Sequence, residues 1–144
     1  MLIALLFWIL CLAGCIYAVV LGDWEGKVVT AIILVSTVAT VASNRLLDVH
    51  WHSTNHMMLI VDLATFLALF MVAARSRRWW PVWFAAFQLN TVAAHVATMI
   101  SPTFNALTYR GYEGLWAIPC LLVMVFGIYR DRERDQQERG RGLA

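Results

Sequence analysis

His50, His52 and His56 fall within one short polar stretch with Asp48 just ahead of them, while Asp62 and His95 each stand alone inside an apolar run. Imidazole nitrogens and a carboxylate oxygen are ligands that zinc and copper accept, so Asp48, His50, His52 and His56 could chelate a metal. The spacing works against it. His50 and His52 share a face only on extended backbone, and His52 and His56 only on a helix, so the chain would have to change conformation at His52. Haem held by His95 and one loop histidine is the other option, but bis-histidine haem usually draws on residues well inside two spans, and only His95 is clearly inside one. The expectation is therefore no cofactor, with zinc, copper or haem as the candidates if the histidines are occupied.

Asp62 and His95 pose a different question. An ionisable side chain in a membrane span is costly alone and normally faces the bundle interior or a partner. Each lies about 7–9 Å below the same interface, counted along its helix, and a short basic loop joins the two helices. Matched depth on antiparallel neighbours predicts contact. Imidazole titrates near neutrality, so such a pair could share a proton at ordinary pH. A hydrogen bond that only fixes two helices explains the same residues more simply. Gln88, Thr91 and His95 follow one face of the fourth helix, with Asn90 roughly opposite. A helix polar on two faces and rich in alanine belongs in the centre of a bundle.

These residues have to be positioned by long apolar helices. The chain has 144 residues, of which 61% are hydrophobic and 14% charged, and its mean hydropathy is +0.69. A soluble domain carries roughly 25% charged residues. Met1 to Leu21 is free of charge and about 31 Å long as a helix, close to the hydrocarbon thickness. Further spans are expected from Val28 to about Leu47, from Met57 to Ala74, from Pro81 to Ile100, and from near Leu107 to Tyr129. Pro119 is expected to kink the last, and Arg110 and Glu113 to pair at its start. The fold class is all-α: an integral membrane helical bundle of five transmembrane helices. Residues 1–130 form the bundle and 131–144 a charged cytoplasmic tail that continues the helix briefly with a solvated face.

Orientation follows from charge. Of the 11 Lys and Arg residues, Arg45 and Arg110 fall on one side and Lys27, Arg75, Arg77, Arg78, Arg130, Arg132, Arg134, Arg139 and Arg141 on the other. Short cytoplasmic loops collect Lys and Arg, which places the N-terminus outside and the C-terminus inside. Leu12-Ala13-Gly14-Cys15 looks like a lipoprotein signal box, but no Lys or Arg precedes it and the apolar run continues past Cys15, so a retained span is expected. Cys11, Cys15 and Cys120 lie inside apolar spans and read as packing residues. Ser36, Thr40 and Ser43 form a small hydroxyl stripe suited to a neighbouring helix, and Gly14-x-x-x-Ala18 suits a helix or subunit contact.

Function is less legible. There is no nucleophile–base constellation and no phosphate-binding glycine loop. Net charge is +2, with arginine clustered at span ends, so no nucleic-acid partner is expected. The stretch Arg75-Ser76-Arg77-Arg78-Trp79-Trp80-Pro81-Val82-Trp83 through Gln88 to His95, with Val61-Asp62 upstream, resembles small, functionally uncharacterised multi-span inner-membrane proteins of proteobacterial type. That resemblance implies a bacterial inner (cytoplasmic) membrane location and no particular activity. The lipid bilayer is the expected surrounding, and a homo-oligomer or larger membrane complex the expected assembly. The leading expectation is a non-enzymatic accessory or scaffold subunit. The competing one is a redox, metal- or proton-handling protein that uses Asp62, His95 and the loop histidines. A channel or transporter is disfavoured because no charged residue sits near the midplane.

Overall fold

The computed structural model describes residues 2–46, 56–100 and 106–141, and over them the chain is helical apart from two short connections. The helices are α1 (Leu2–Leu21), α2 (Trp24–Leu46), α3 (His56–Arg75), α4 (Trp80–Ile100) and α5 (Ala106–Arg141). Each packs on its neighbours in sequence, and α5 returns to α1, so the five close into a ring in which successive helices are antiparallel and α1 and α5 run parallel.

Boundaries match the apolar pattern except at the polar turns. α2 begins at Trp24 rather than Val28, because most of the polar connection is itself helical. Glu25 sits in that first turn, where a carboxylate favours the helix dipole, and the Lys27 N–H donates to the Asp23 carbonyl at 3.3 Å. Only Gly22 and Asp23 remain between α1 and α2. α5 accommodates Pro119 and runs past Tyr129 without a break to Arg141.

The packed core lies toward one end. It joins Ala18, Val29, Leu69, Val72, Ala73, Trp80, Phe84, Ala85, Met124 and Ile128, at least one residue from every helix. This is the end where the two short connections, 22–23 and 76–79, tie α1 to α2 and α3 to α4. Tight turns bring four helices close there, and small residues let them touch. Trp80 is buried directly against Gly127, so any side chain at 127 would collide with the indole stem. Gly26 likewise brings the start of α2 onto the Ala18 carbonyl. Gly14 packs on Leu121 and Met124 of α5, so the Gly14-x-x-x-Ala18 pattern is used within the chain as a helix contact.

Outside this core the helices turn large apolar side chains outward. Ile16 and Val20 of α1, Val35 and Val38 of α2, Ile60 and Phe70 of α3, Val82 and Trp83 of α4, and Leu122 and Phe126 of α5 are all exposed. Among the described residues, two helical stretches, Trp24–Ser43 and His56–Arg75, are long and apolar enough to cross a membrane, and Trp8–Leu21 is a shorter apolar stretch. That is fewer than the five spans the sequence suggests. α4 falls short because Gln88, Asn90 and His95 interrupt its apolar run.

Candidate functional site

Asp62 and His95 meet. The His95 Nε2 lies 2.7 Å from the Asp62 Oδ2, and the Gln88 Nε2 donates to the other carboxylate oxygen, Oδ1, at 3.2 Å. Asp62 comes from α3, while Gln88 and His95 are two turns apart on one face of α4, so a single carboxylate spans both α4 side chains. Of the expected Gln88, Thr91 and His95 stripe, Gln88 and His95 thus converge on one acceptor. An ionised carboxylate offers only acceptors, so His95 in that state donates through Nε2–H. His95 is buried, with 3% of its side chain exposed against 21% for Asp62. The Thr98 hydroxyl donates to the His95 carbonyl at 2.8 Å and steadies the backbone beneath the imidazole.

Asn90, the fourth polar residue expected in this group, is half-buried on another face of α4 and is not a partner of Asp62. One turn along α3, the Thr65 hydroxyl gives its proton to the Val61 carbonyl at 2.7 Å. Its 2.6 Å contact with the Ser36 hydroxyl must then be donated by Ser36. The hydroxyl stripe of α2 therefore does face α3, through Ser36. Thr30, also on α2, is a buried hydroxyl without a partner among the described residues.

Of the proposed metal ligands, Asp48, His50 and His52 lie outside the described residues. His56 is the first residue of α3 and is exposed. Among the described residues no group of three or more His, Cys, Asp or Glu side chains is placed to hold one ion. A metal or haem iron on the His95 Nε2 would have to displace Asp62 from it.

A second cluster, not anticipated from the sequence, occupies the opposite end. Arg78, in the connection between α3 and α4, pairs with Asp23 of the α1–α2 turn and with Asp131 and Asp135 of α5, the last two at 3.3 and 3.1 Å. Beside it the Ser76 hydroxyl donates to the buried Glu25 at 3.0 Å and accepts the Arg78 backbone N–H at 3.0 Å. The charged extension of α5 is therefore docked along one side, through Asp131 and Asp135, not solvated all round. Burial works against the Arg78 charge, but Asp135 and Asp131 outweigh it and hold the guanidinium above its ordinary value. Burial pushes the Asp131 carboxyl up, and Arg78 offsets this only in part. Asp131 and Asp135 stand at i, i+4, one face of a helix. That spacing, with the shared side of Asp23 and Arg78, was the available signal.

The two clusters differ in what they can do. Arg78 and its carboxylates form a permanent ion-pair network that holds three chain segments. Asp62, Gln88 and His95 form a hydrogen-bonded set that joins α3 to α4. Comparison of the chain with protein-family models, with curated proteins and with solved structures returned no match.

Proposed function

We propose that the chain is a five-span integral membrane protein of the bacterial inner membrane, N-terminus outside and C-terminus in the cytoplasm. It serves there as a non-enzymatic accessory or scaffold subunit of a homo-oligomer or larger membrane complex. The observation that carries this reading is the division of side chains on α3 and α4. Asp62, Gln88 and His95 turn to one another, while Ile60, Phe70, Val82 and Trp83 face outward. Apolar side chains turned out all round a bundle suit lipid or a partner helix. Polar groups that satisfy each other across two helices suit a fixed contact, which an apolar surrounding favours because the alternative is an unpaired dipole.

Reporter fusions after Lys27, Arg78 and Gly140 should behave as cytoplasmic, and those at Ser53 and Asn105 as external. A cytoplasmic signal at Ser53 would overturn the five-span arrangement. The scaffold role predicts that the 16.3 kDa chain migrates in mild detergent as a defined larger assembly. A monodisperse monomer would remove it.

A second reading, proton handling, is favoured by one observation. Asp62 keeps 21% of its side chain exposed while bonded to His95, so the pair is open to exchange on one side. Vesicles containing the protein would then acidify under an imposed potential, and Asp62→Asn would abolish the flux. Equal flux in both would leave the structural role alone.

A further inference from the structure

We propose that Arg130 and Arg134, set above Trp79, bind the headgroup of an anionic phospholipid in the cytoplasmic leaflet. The proposal rests on the membrane placement given above. The two arginines are one turn apart on the same face of α5, and with Trp79 and Asp131 they line a groove of about 200 Å³. Trp79 packs edge-on against Phe126 with ring centroids 6.4 Å apart. That contact fixes the indole at the junction between the charged extension of α5 and its apolar part. An indole at such a junction sits at headgroup level in a bilayer.

The charge pattern in the groove selects an anion. The carboxylates nearby are already engaged: Asp131 and Asp135 by Arg78, and Glu133 by the Tyr129 hydroxyl at 2.6 Å. Glu138, one turn beyond Arg134 and outside the smaller groove, forms no ion pair among the described residues. Arg130 and Arg134, by contrast, form no ion pair among the described residues, and both are exposed. Two open guanidiniums beside occupied carboxylates present donors in the fork geometry that matches phosphate. A larger adjoining groove of about 750 Å³ shares Trp79, Asp131 and Arg134, but its further arginines are matched by Glu25, Asp135 and Glu138, so the surplus of positive charge is confined to the smaller groove.

Below the arginines the surface becomes apolar. Phe126 and Leu122 of α5 and Trp83 of α4 are exposed beneath the groove and offer a track for acyl chains. A phosphate over Arg130 and Arg134, a glycerol region on Trp79 and chains along Phe126 fit one lipid molecule in one orientation. A free phosphate would use only the first of these contacts. Each basic residue near an anionic membrane surface strengthens attachment by roughly fivefold.

The test uses full-length protein purified in mild detergent, with melting temperature followed on addition of phosphatidylglycerol, phosphatidylcholine or inorganic phosphate. Phosphatidylglycerol alone should raise it. In the double variant Arg130→Gln/Arg134→Gln, half-maximal protection should need roughly twenty-five times more phosphatidylglycerol. Arg139→Gln/Arg141→Gln removes the same charge outside the groove and should leave protection within about twofold of the parent. If the double variant does not fold, Arg134→Gln alone is read, with roughly fivefold as the expected loss. Equal protection by phosphatidylcholine, equal loss in the Arg139/Arg141 variant, or full protection by inorganic phosphate would each overturn the lipid site. Release of the native chain from membranes by alkaline carbonate would instead overturn the membrane placement beneath it.

Discussion

The two ends of the bundle solve the same problem, joining helices through polar side chains, with opposite chemistry. At the end of the short turns, one fixed cation, Arg78, meets three carboxylates of graded exposure: 59% for Asp23, 44% for Asp135 and 9% for Asp131. At the far end, one carboxylate meets an imidazole and an amide, neither of which is obliged to carry charge. In the first cluster water reaches Asp23 and Asp135, so those charges lose little solvation and screening keeps their pairs weak, while Asp131 is buried and depends on Arg78. The second is sunk among apolar side chains, where a permanent ion pair would cost more than it returns. The two ends differ in the partner offered to a carboxylate, a guanidinium at one and an imidazole and amide at the other, more than in the depth of the carboxylates themselves.

The largest effect should come from Arg78→Ala. It strips from the buried Asp131 its one ion-pair partner among the described residues, and an uncompensated buried charge costs about 2–4 kcal/mol. Arg77→Ala, one residue away but exposed and without an ion pair among the described residues, should cost less than about 0.5 kcal/mol. Thermal unfolding in detergent compares them. Similar losses for the two variants would mean that Arg78 is merely another surface charge.

At the other end the effect should be smaller and shared. Asp62→Asn and His95→Ala should be non-additive, with a coupling of about 0.5–2 kcal/mol, the range seen for polar contacts between membrane helices. Gln88 bonds to Asp62 independently of His95, so Gln88→Ala in the His95→Ala background should still destabilise. Strict additivity of Asp62→Asn and His95→Ala would show that the contact carries no stability.

The contrast also shows what the sequence made legible. Helix number and most boundaries could be read directly, because apolar runs bounded by Gly22-Asp23 and by Arg75 to Arg78 leave little choice. The Asp62–His95 contact was legible too, since equal depth on two helices joined by a short loop forces the side chains to one level. Gln88 belonged to the same stripe, whereas Asn90, two residues on, already lay roughly opposite it by helical spacing. The Arg78 network was harder. It depends on where α5 crosses the two turns, and that is fixed by Gly127 against Trp80, a contact between residues 47 positions apart. Alternating charges from Arg130 onward look alike on every face until the docked face is known. The histidine-rich connection, with Asp48, His50 and His52, lies outside the described residues, so its geometry adds nothing to the choice between metal site and plain loop.

The smallest prediction reverses the sign of the first and separates the two effects at Arg78. Burial raises the Asp131 carboxyl above its ordinary value, and Arg78 only partly offsets this. A carboxyl raised on folding binds its proton more tightly in the folded chain. Its contribution to stability is therefore full below the unfolded value, near pH 4, and is lost as pH rises through the folded value. At neutral pH the ionised Asp131 thus weakens the fold slightly, although losing its partner Arg78 would weaken it far more. Asp131→Asn keeps an oxygen to accept from the Arg78 guanidinium and cannot ionise. It should match the parent below about pH 4 and gain up to about 1 kcal/mol on it at pH 7, read as melting temperature against pH. A variant less stable than the parent at neutral pH would show that Arg78 more than compensates the buried charge. The network would then stabilise through Asp131 itself, not merely through the avoidance of leaving that carboxylate alone.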